Sequence, residues 1–275
     1  VLLLCFCFEL KSPFYFENFR GIIGISLRQR CHMPDNYKGI VRRLVEEVWS
    51  DGQPEAMTEL IHPNAKPPHG PWGLPAGPDG FRRLISSIRT SFPDLNRSVE
   101  DMVAEGDRLV LYYRIQGTHT GNGGLVPYPP TGQRWDMLGA TAFRFADDLI
   151  VEEPWAVNDV AAMLSDIAKA NVRLMMEEGR NNPAATHVST YYAKDFVYHD
   201  SNGSELQSRS AYEYELSRLL RVEPPPRLEI EGQVSEGDCV LTRYRLIGYG
   251  LDDGVHMSLI RFDNGLAVEQ WDTNG

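Results

Sequence analysis

Residues 105–117, EGDRLVLYYRIQG, return 131 positions later as residues 236–248, EGDCVLTRYRLIG. Glu105, Gly106, Asp107, Tyr113, Arg114 and Gly117 are matched without a gap by Glu236, Gly237, Asp238, Tyr244, Arg245 and Gly248. A second echo follows in the same order, FRFADDLIVEEPW at 143–155 and IRFDNGLAVEQW at 260–271. Two copies of one unit therefore lie in tandem. The period is too long for a solenoid repeat, so each copy is expected to close a globular domain of its own. The expected division is a segment outside the fold at 1–32, a first domain at 33–168 and a more divergent second domain at 169–275.

Composition narrows the class of partner. With 42% hydrophobic and 24% charged residues the chain reads as ordinary globular protein. A net charge of −11 leaves no basic face for nucleic acid, although a local basic pocket stays open. Cys5, Cys7 and Cys31 precede the first domain and Cys239 falls in a strand, so no disulfide framework is visible. That usage suits a reducing, cytoplasmic setting. The opening VLLLCFCF is too short to span a bilayer and lacks a preceding basic region. It reads as an upstream or processed segment, or alternatively as an interfacial anchor.

Apolar spacing at Ile40, Val41, Leu44, Val45 and Val48 predicts an amphipathic helix from Asn36, stopped by Asp51-Gly52. A short helix follows through Ala56–Ile61, and the proline-rich stretch 62–78 reads as loop. Asp79 is a plausible cap for a third helix through Phe92. Strands are expected at 95–104, 107–119, 134–146 and 149–157. The second copy repeats the order, with helices at 159–181, 183–192 and 208–221 and strands at 227–236, 238–249, 254–263 and 266–272. Helices followed by a meander of strands predict an α+β fold, each copy a curved antiparallel sheet wrapped around about three helices.

Ordered elements along the first copy carry a family resemblance. They are Trp49 and Gly52; Gly77-Pro78-Asp79-Gly80-Phe81; Phe92-Pro93-Asp94-Leu95; Glu100-Asp101; Glu105-Gly106-Asp107; Gly117-Thr118-His119-Thr120-Gly121; Pro129-Pro130-Thr131-Gly132; and Phe143-Arg144. This order resembles the SnoaL-like polyketide or ester cyclases, which have the cone-shaped nuclear-transport-factor-two-like fold. The second copy is similar through Glu236-Gly237-Asp238, Arg261-Phe262 and Trp271-Asp272. The resemblance implies an intramolecular aldol cyclisation or isomerisation of a small hydrophobic carbonyl or polycyclic ligand, without metal or cofactor.

Such chemistry requires a base for an acidic C–H and a donor for the enolate oxygen, and a carboxylate in an apolar pocket suits the first role. The resemblance places that carboxylate just after the Trp of the last strand. The second copy has Asp272 there, whereas in the first the position falls on Ala156 when aligned on Trp155, or on Trp155 itself when the extra Pro154 is set aside. Asp272 is thus the expected base, with His256 and His199 assisting. Trp271, Trp155, His69, Trp72, Tyr128 and Trp135 are expected to line substrate pockets. Strand alternation places His256, Ser258 and Ile260 on one face, and it sets Asp136 and Thr141 on opposite faces, with Asp136 reading as an outward carboxylate or else as a displaced base. H-E-x-x-H, G-x-S-x-G, P-loop and paired C-x-x-C motifs are absent from the sequence. The rival readings are a non-catalytic binding protein for a hydrophobic small molecule and an interaction scaffold. The first domain acts either as a ligand binder or as an internal partner in a pseudo-dimer, and a homo-oligomer is the alternative assembly.

Overall fold

The computed structural model describes residues 35–66, 73–181, 188–221, 227–248 and 254–274. The leader, with its two readings, lies outside these residues, as do His69 and Trp72. The first helix runs as α1 (Asp35–Arg43) and continues in π-helical winding over Leu44–Ser50. Its expected stripe, Ile40, Val41, Leu44, Val45 and Val48, is buried. After α2 (Met57–Leu60) comes β1 (Ile61–Lys66), where the sequence predicted loop. The segment IHPNAK shows no apolar alternation, and its strand form comes from parallel pairing with β5 (Leu149–Val157) at the sheet edge. An edge position tolerates Pro63, which has no N–H to donate. Helix α3 (Pro78–Ser91) starts one residue before the expected Asp79 cap, because Pro78 takes the first helical position and Gly77 becomes the cap.

Strands β2 (Asn96–Glu105), β3 (Arg108–Thr118) and β4 (Arg134–Ala146) complete the sheet, ordered β1-β5-β4-β3-β2. The second domain begins with α4 (Val160–Arg173), which passes through a π-helical turn at Leu174–Glu178 into α5 (Gly179–Asn181). Both lead helices thus widen into π winding at corresponding places. Then come α6 (Val188–Tyr191), β6 (Tyr192–His199), β7 (Glu205–Leu206) and α7 (Arg209–Leu219). Strands β8 (Arg227–Glu236), β9 (Cys239–Ile247), β10 (Val255–Asp263) and β11 (Leu266–Asn274) close a sheet ordered β7-β6-β11-β10-β9-β8. Because β1 and β6 run parallel to β5 and β11, both sheets are mixed and not purely antiparallel as the pattern implied. Parallel pairing joins distant segments and leaves no local signature.

The repeat is visible in the backbone. Gly106 and Gly237 adopt φ of 61° and 59° in two-residue turns, which is why glycine recurs there. Each β2- or β8-type strand carries a bulge, at Glu100 and at Glu231, and both carboxylates pair with the matched arginines, Arg114 and Arg245. The face of each sheet that meets the helices is the buried one: Leu109, Leu111, Tyr113 and Ile115 on β3, and Val240, Thr242 and Tyr244 on β9. Each fully buried Leu, Ile or Phe contributes roughly 1.5–3 kcal/mol.

The two domains touch through the loop before β4. Tyr128 meets Phe262 edge to face at 5.3 Å, and Pro127 lies against the β10–β11 turn at Gly265. A Cβ on Gly265 would stand 1.9 Å from the Pro127 carbonyl oxygen. No helix among the described residues is long and apolar enough to cross a membrane.

Candidate active site

In the first domain the inner face of the sheet holds a buried charged cluster. Ser50, at the end of the π-helical segment, clamps β2: its Oγ donates to the Arg97 carbonyl (2.8 Å) and accepts from the Arg97 amide (3.0 Å). The Arg97 side chain, only 4% exposed, is thereby directed inward. Its guanidinium lies 3.7 Å from the ring centre of Tyr113 and 4.5 Å from that of Trp49. Arg89 fixes Trp49 in turn by donating to its carbonyl at 2.8 Å. Such cation–π stacking contributes about 2 kcal/mol when desolvated, less than the several kcal/mol that burying a cation costs.

Glu153 on β5 faces the same cluster at 7% exposure. Arg97 Nη2 donates to Thr141 Oγ1 at 3.4 Å, and Thr141 hydrogen-bonds Glu153. The hydroxyl therefore stands between cation and carboxylate, which close no direct ion pair. Burial drives the Glu153 pKa up to about 7, and Arg97 and Thr141 oppose the rise only in part. Burial also lowers the Arg97 pKa, yet a guanidinium keeps its charge. Arg97 Nε has no hydrogen-bond partner.

The ladder shows why Glu153 points inward. Arg144 pairs with Glu152 in register and bonds it at 3.0 Å on the outer face. The next residue, Glu153, alternates to the inner face. Pro154 is then an extra residue, so that Ala142 pairs with Trp155 and Thr141 with Ala156. In the second domain Arg261 pairs with Glu269 and bonds it at 2.7 Å, which puts Gln270 at the position of Glu153. Ser258 takes the position of Thr141, and opposite it stands Asp272 where the first domain has Ala156. Leu228 replaces Arg97, held by the same kind of clamp from Asn181, which donates to its carbonyl (3.2 Å) and accepts from its amide (2.9 Å). Each domain thus keeps one inward carboxylate near the end of its last strand, at different positions.

Asp272 is 8% exposed and accepts from Tyr198 Oη at 3.1 Å and from Gln270 Nε2 at 2.9 Å. Ser258, fully buried across the ladder, leaves its hydroxyl unpartnered, as does the Gln270 carbonyl oxygen. The Tyr198 ring lies tilted against Tyr212 of α7, with centroids 5.2 Å apart.

The expected residues divide between faces. His256 shares the Asp272 face, stacked on Tyr244 at 5.4 Å. His199 and Trp271 do not share it. They pair in register, stack at 5.3 Å and 7°, and His199 binds Glu269 at 3.0 Å, all on the outer face. His199 is the last residue of β6, where alternation sends Tyr198 inward and His199 outward. Trp135 is buried against Phe92 at 5.1 Å, and Tyr128 belongs to the domain contact. The Trp155 side chain lies outside the described atoms, although its register is set. Asp136 faces out and receives bonds from Arg114 (2.8 Å) and Gln116 (2.7 Å). Among the described residues no three His, Cys, Asp or Glu side chains gather as a metal site.

Two clefts run along the domain junction, of about 340 Å³ beside Trp135, Met137 and Met163 and about 580 Å³ beside Lys169, Arg173 and Gln233. Neither is lined by the interior carboxylates.

Residues 39–167 match the family model of SnoaL-like polyketide cyclases, and residues 172–270 match that of the SnoaL-like domain. The chain is two SnoaL-like domains in tandem. Similar solved structures include TsrD from Streptomyces laurentii, 21% identical over 48% of this chain and 93% of that one, with a TM-score of 0.43. A candidate SnoaL-like polyketide cyclase from Jannaschia sp. CCS1 is 27% identical over 47% and 89%, with a TM-score of 0.42. A candidate polyketide cyclase from Acidithiobacillus ferrooxidans is 27% identical over 48% and 96%, with a TM-score of 0.41. No curated protein matches the chain. The second SnoaL-like match stops at residue 270, two residues short of Asp272.

Sequence reasoning passed over Glu153 and Tyr198. Glu153 was legible from the paired echoes FR…VEE and IR…VEQ, because an Arg–Glu pair on the outer face sends the next residue inward. Tyr198 had no such signal, since its place beside Asp272 comes from the parallel pairing of β6 with the distant β11.

Proposed function

We propose that the protein is a cofactor-independent acid/base catalyst of the SnoaL-like type, cyclising or isomerising a small hydrophobic carbonyl compound with Asp272 as the base. One observation carries the reading: a buried carboxylate held by Tyr198 and Gln270 directly opposite the unpartnered hydroxyl of Ser258. A base and a free donor on one inner face meet the two needs of enolisation. Asp272 removes the C–H proton, and Ser258 donates to the oxygen that gains charge. His256, on the same face, orients the substrate. Membership of the SnoaL-like family supports a polyketide-like substrate.

The test is deuterium uptake at C2 of ethyl benzoylacetate, compared between wild type and the Asp272→Asn and Ser258→Ala variants. Both variants are expected to exchange more slowly. A rate untouched by Asp272→Asn refutes the assignment of the base. Binding of the ester with no exchange by wild type would instead favour a ligand-binding protein.

A further inference from the structure

The charged cluster of the first domain is not needed by the chemistry proposed for the second. Burying a cation and a carboxylate together adds little to stability, since apolar residues of similar volume often do as well or better. The matched position in the second domain is apolar: Leu228 sits where Arg97 would, under the same kind of backbone clamp. Arg97 nevertheless keeps a cation at 4% exposure with Nε unpartnered, turned toward a carboxylate it does not touch. An orphaned buried donor of this kind marks a place for an acceptor from outside.

The inner face has an exposed position beside the cluster. Ala156 shares it, opposite Thr141 in the ladder, and is exposed while Thr141 is buried. The position that carries the carboxylate in the second domain is here a methyl group open to solvent.

We infer that the first domain holds a second proton-transfer site, with Glu153 as base and Arg97 as charge acceptor, acting on a neutral ketone or ester that bears an acidic C–H. In the resting site Arg97 faces the anionic Glu153 through Thr141. When Glu153 takes the proton, the C–H bond breaks and its electron pair moves into an enolate, whose oxygen accepts from Arg97 Nε. The negative charge passes from carboxylate to enolate, so Arg97 faces one anion throughout. Return of that proton to a different carbon completes an isomerisation; when Glu153 first trades it for a solvent deuteron, return to the original carbon completes an exchange, and no other reactant is consumed. The site shares the class of chemistry proposed for Asp272 but none of its residues, so either assignment can fail alone.

The test uses the full chain and the C2–H signal of ethyl benzoylacetate in deuterium oxide, with Glu153→Gln, Asp272→Asn and the double variant. Asp272→Asn is expected to retain an exchange that the added Glu153→Gln lowers by about 100-fold or more, the range of a lost general base. Arg97→Met is expected to slow the same residual exchange. If Glu153→Gln fails to fold, Glu153→Asp replaces it, and a partial loss confined to the residual exchange supports the assignment. Complete loss in Asp272→Asn alone would overturn this site and leave the second-domain reading standing. Residual exchange that survives Glu153→Gln in a folded protein would overturn it as well.

Discussion

Replacing Glu153 by Gln should make the protein more stable than wild type at high pH, by an amount that the buried carboxylate itself fixes. In the unfolded chain the Glu153 carboxyl titrates near 4.5, and in the folded protein burial moves it to about 7. Below pH 4.5 the group is neutral in both states, and its contribution to stability is fully present. As pH rises the unfolded chain ionises first, and stability is lost until the folded group also ionises near pH 7. The gap from 4.5 to about 7, at about 1.4 kcal/mol per pH unit, amounts to about 3 kcal/mol. Gln occupies a similar volume, can bond Thr141 and does not titrate. The stability difference between Glu153→Gln and wild type should therefore rise by about 3 kcal/mol between about pH 4 and pH 8 and then level off. Urea midpoints measured at half-unit pH steps read the difference directly, because every other titrating group is common to both proteins. A difference that stays flat across this range would refute the buried, near-neutral carboxylate. A difference that falls with pH would show Glu153 to be stabilised as an anion, with Arg97 dominating over burial.

Three further outcomes follow from the geometry. Gly265→Ala, with φ of 80° and the Pro127 carbonyl in the way, should lower stability by at least about 2 kcal/mol in a thermal melt, whereas Gly106→Ala, in open space, should cost about 1 kcal/mol. Tyr128→Ala and Phe262→Ala should each destabilise, and a double-mutant cycle should return a coupling of about 0.5–1.5 kcal/mol; zero coupling would remove their contact from the domain junction. His199→Ala should leave ester exchange within about twofold of wild type, whereas Tyr198→Phe, which strips a bond from Asp272, should slow it and cost about 1–3 kcal/mol. The opposite ranking would reverse the assignment of the two faces of β6.

The tandem duplication, the helices α1, α3 and α4, and the long hairpin strands were all legible in the chain, because each rests on local rules. A stripe such as Ile40, Val41, Leu44, Val45 and Val48 has one way to be buried, and a Gly at the positive φ of the turns at 106 and 237 fixes where the strands reverse. Asp272 could be singled out because it follows Trp271 directly. Its surroundings could not, because they depend on which distant strands lie side by side. Parallel pairing of β6 with β11 brings Tyr198 to Asp272 and sends His199 to the outer face, and no local pattern in YAKDFVYH reveals that partner. The Arg97, Thr141 and Glu153 cluster is assembled from three strands and a helix end in the same way. Sequence periodicity determines which residues turn inward together, but only tertiary pairing decides which inward residues meet, and with them the burial that moves a carboxyl to about 7.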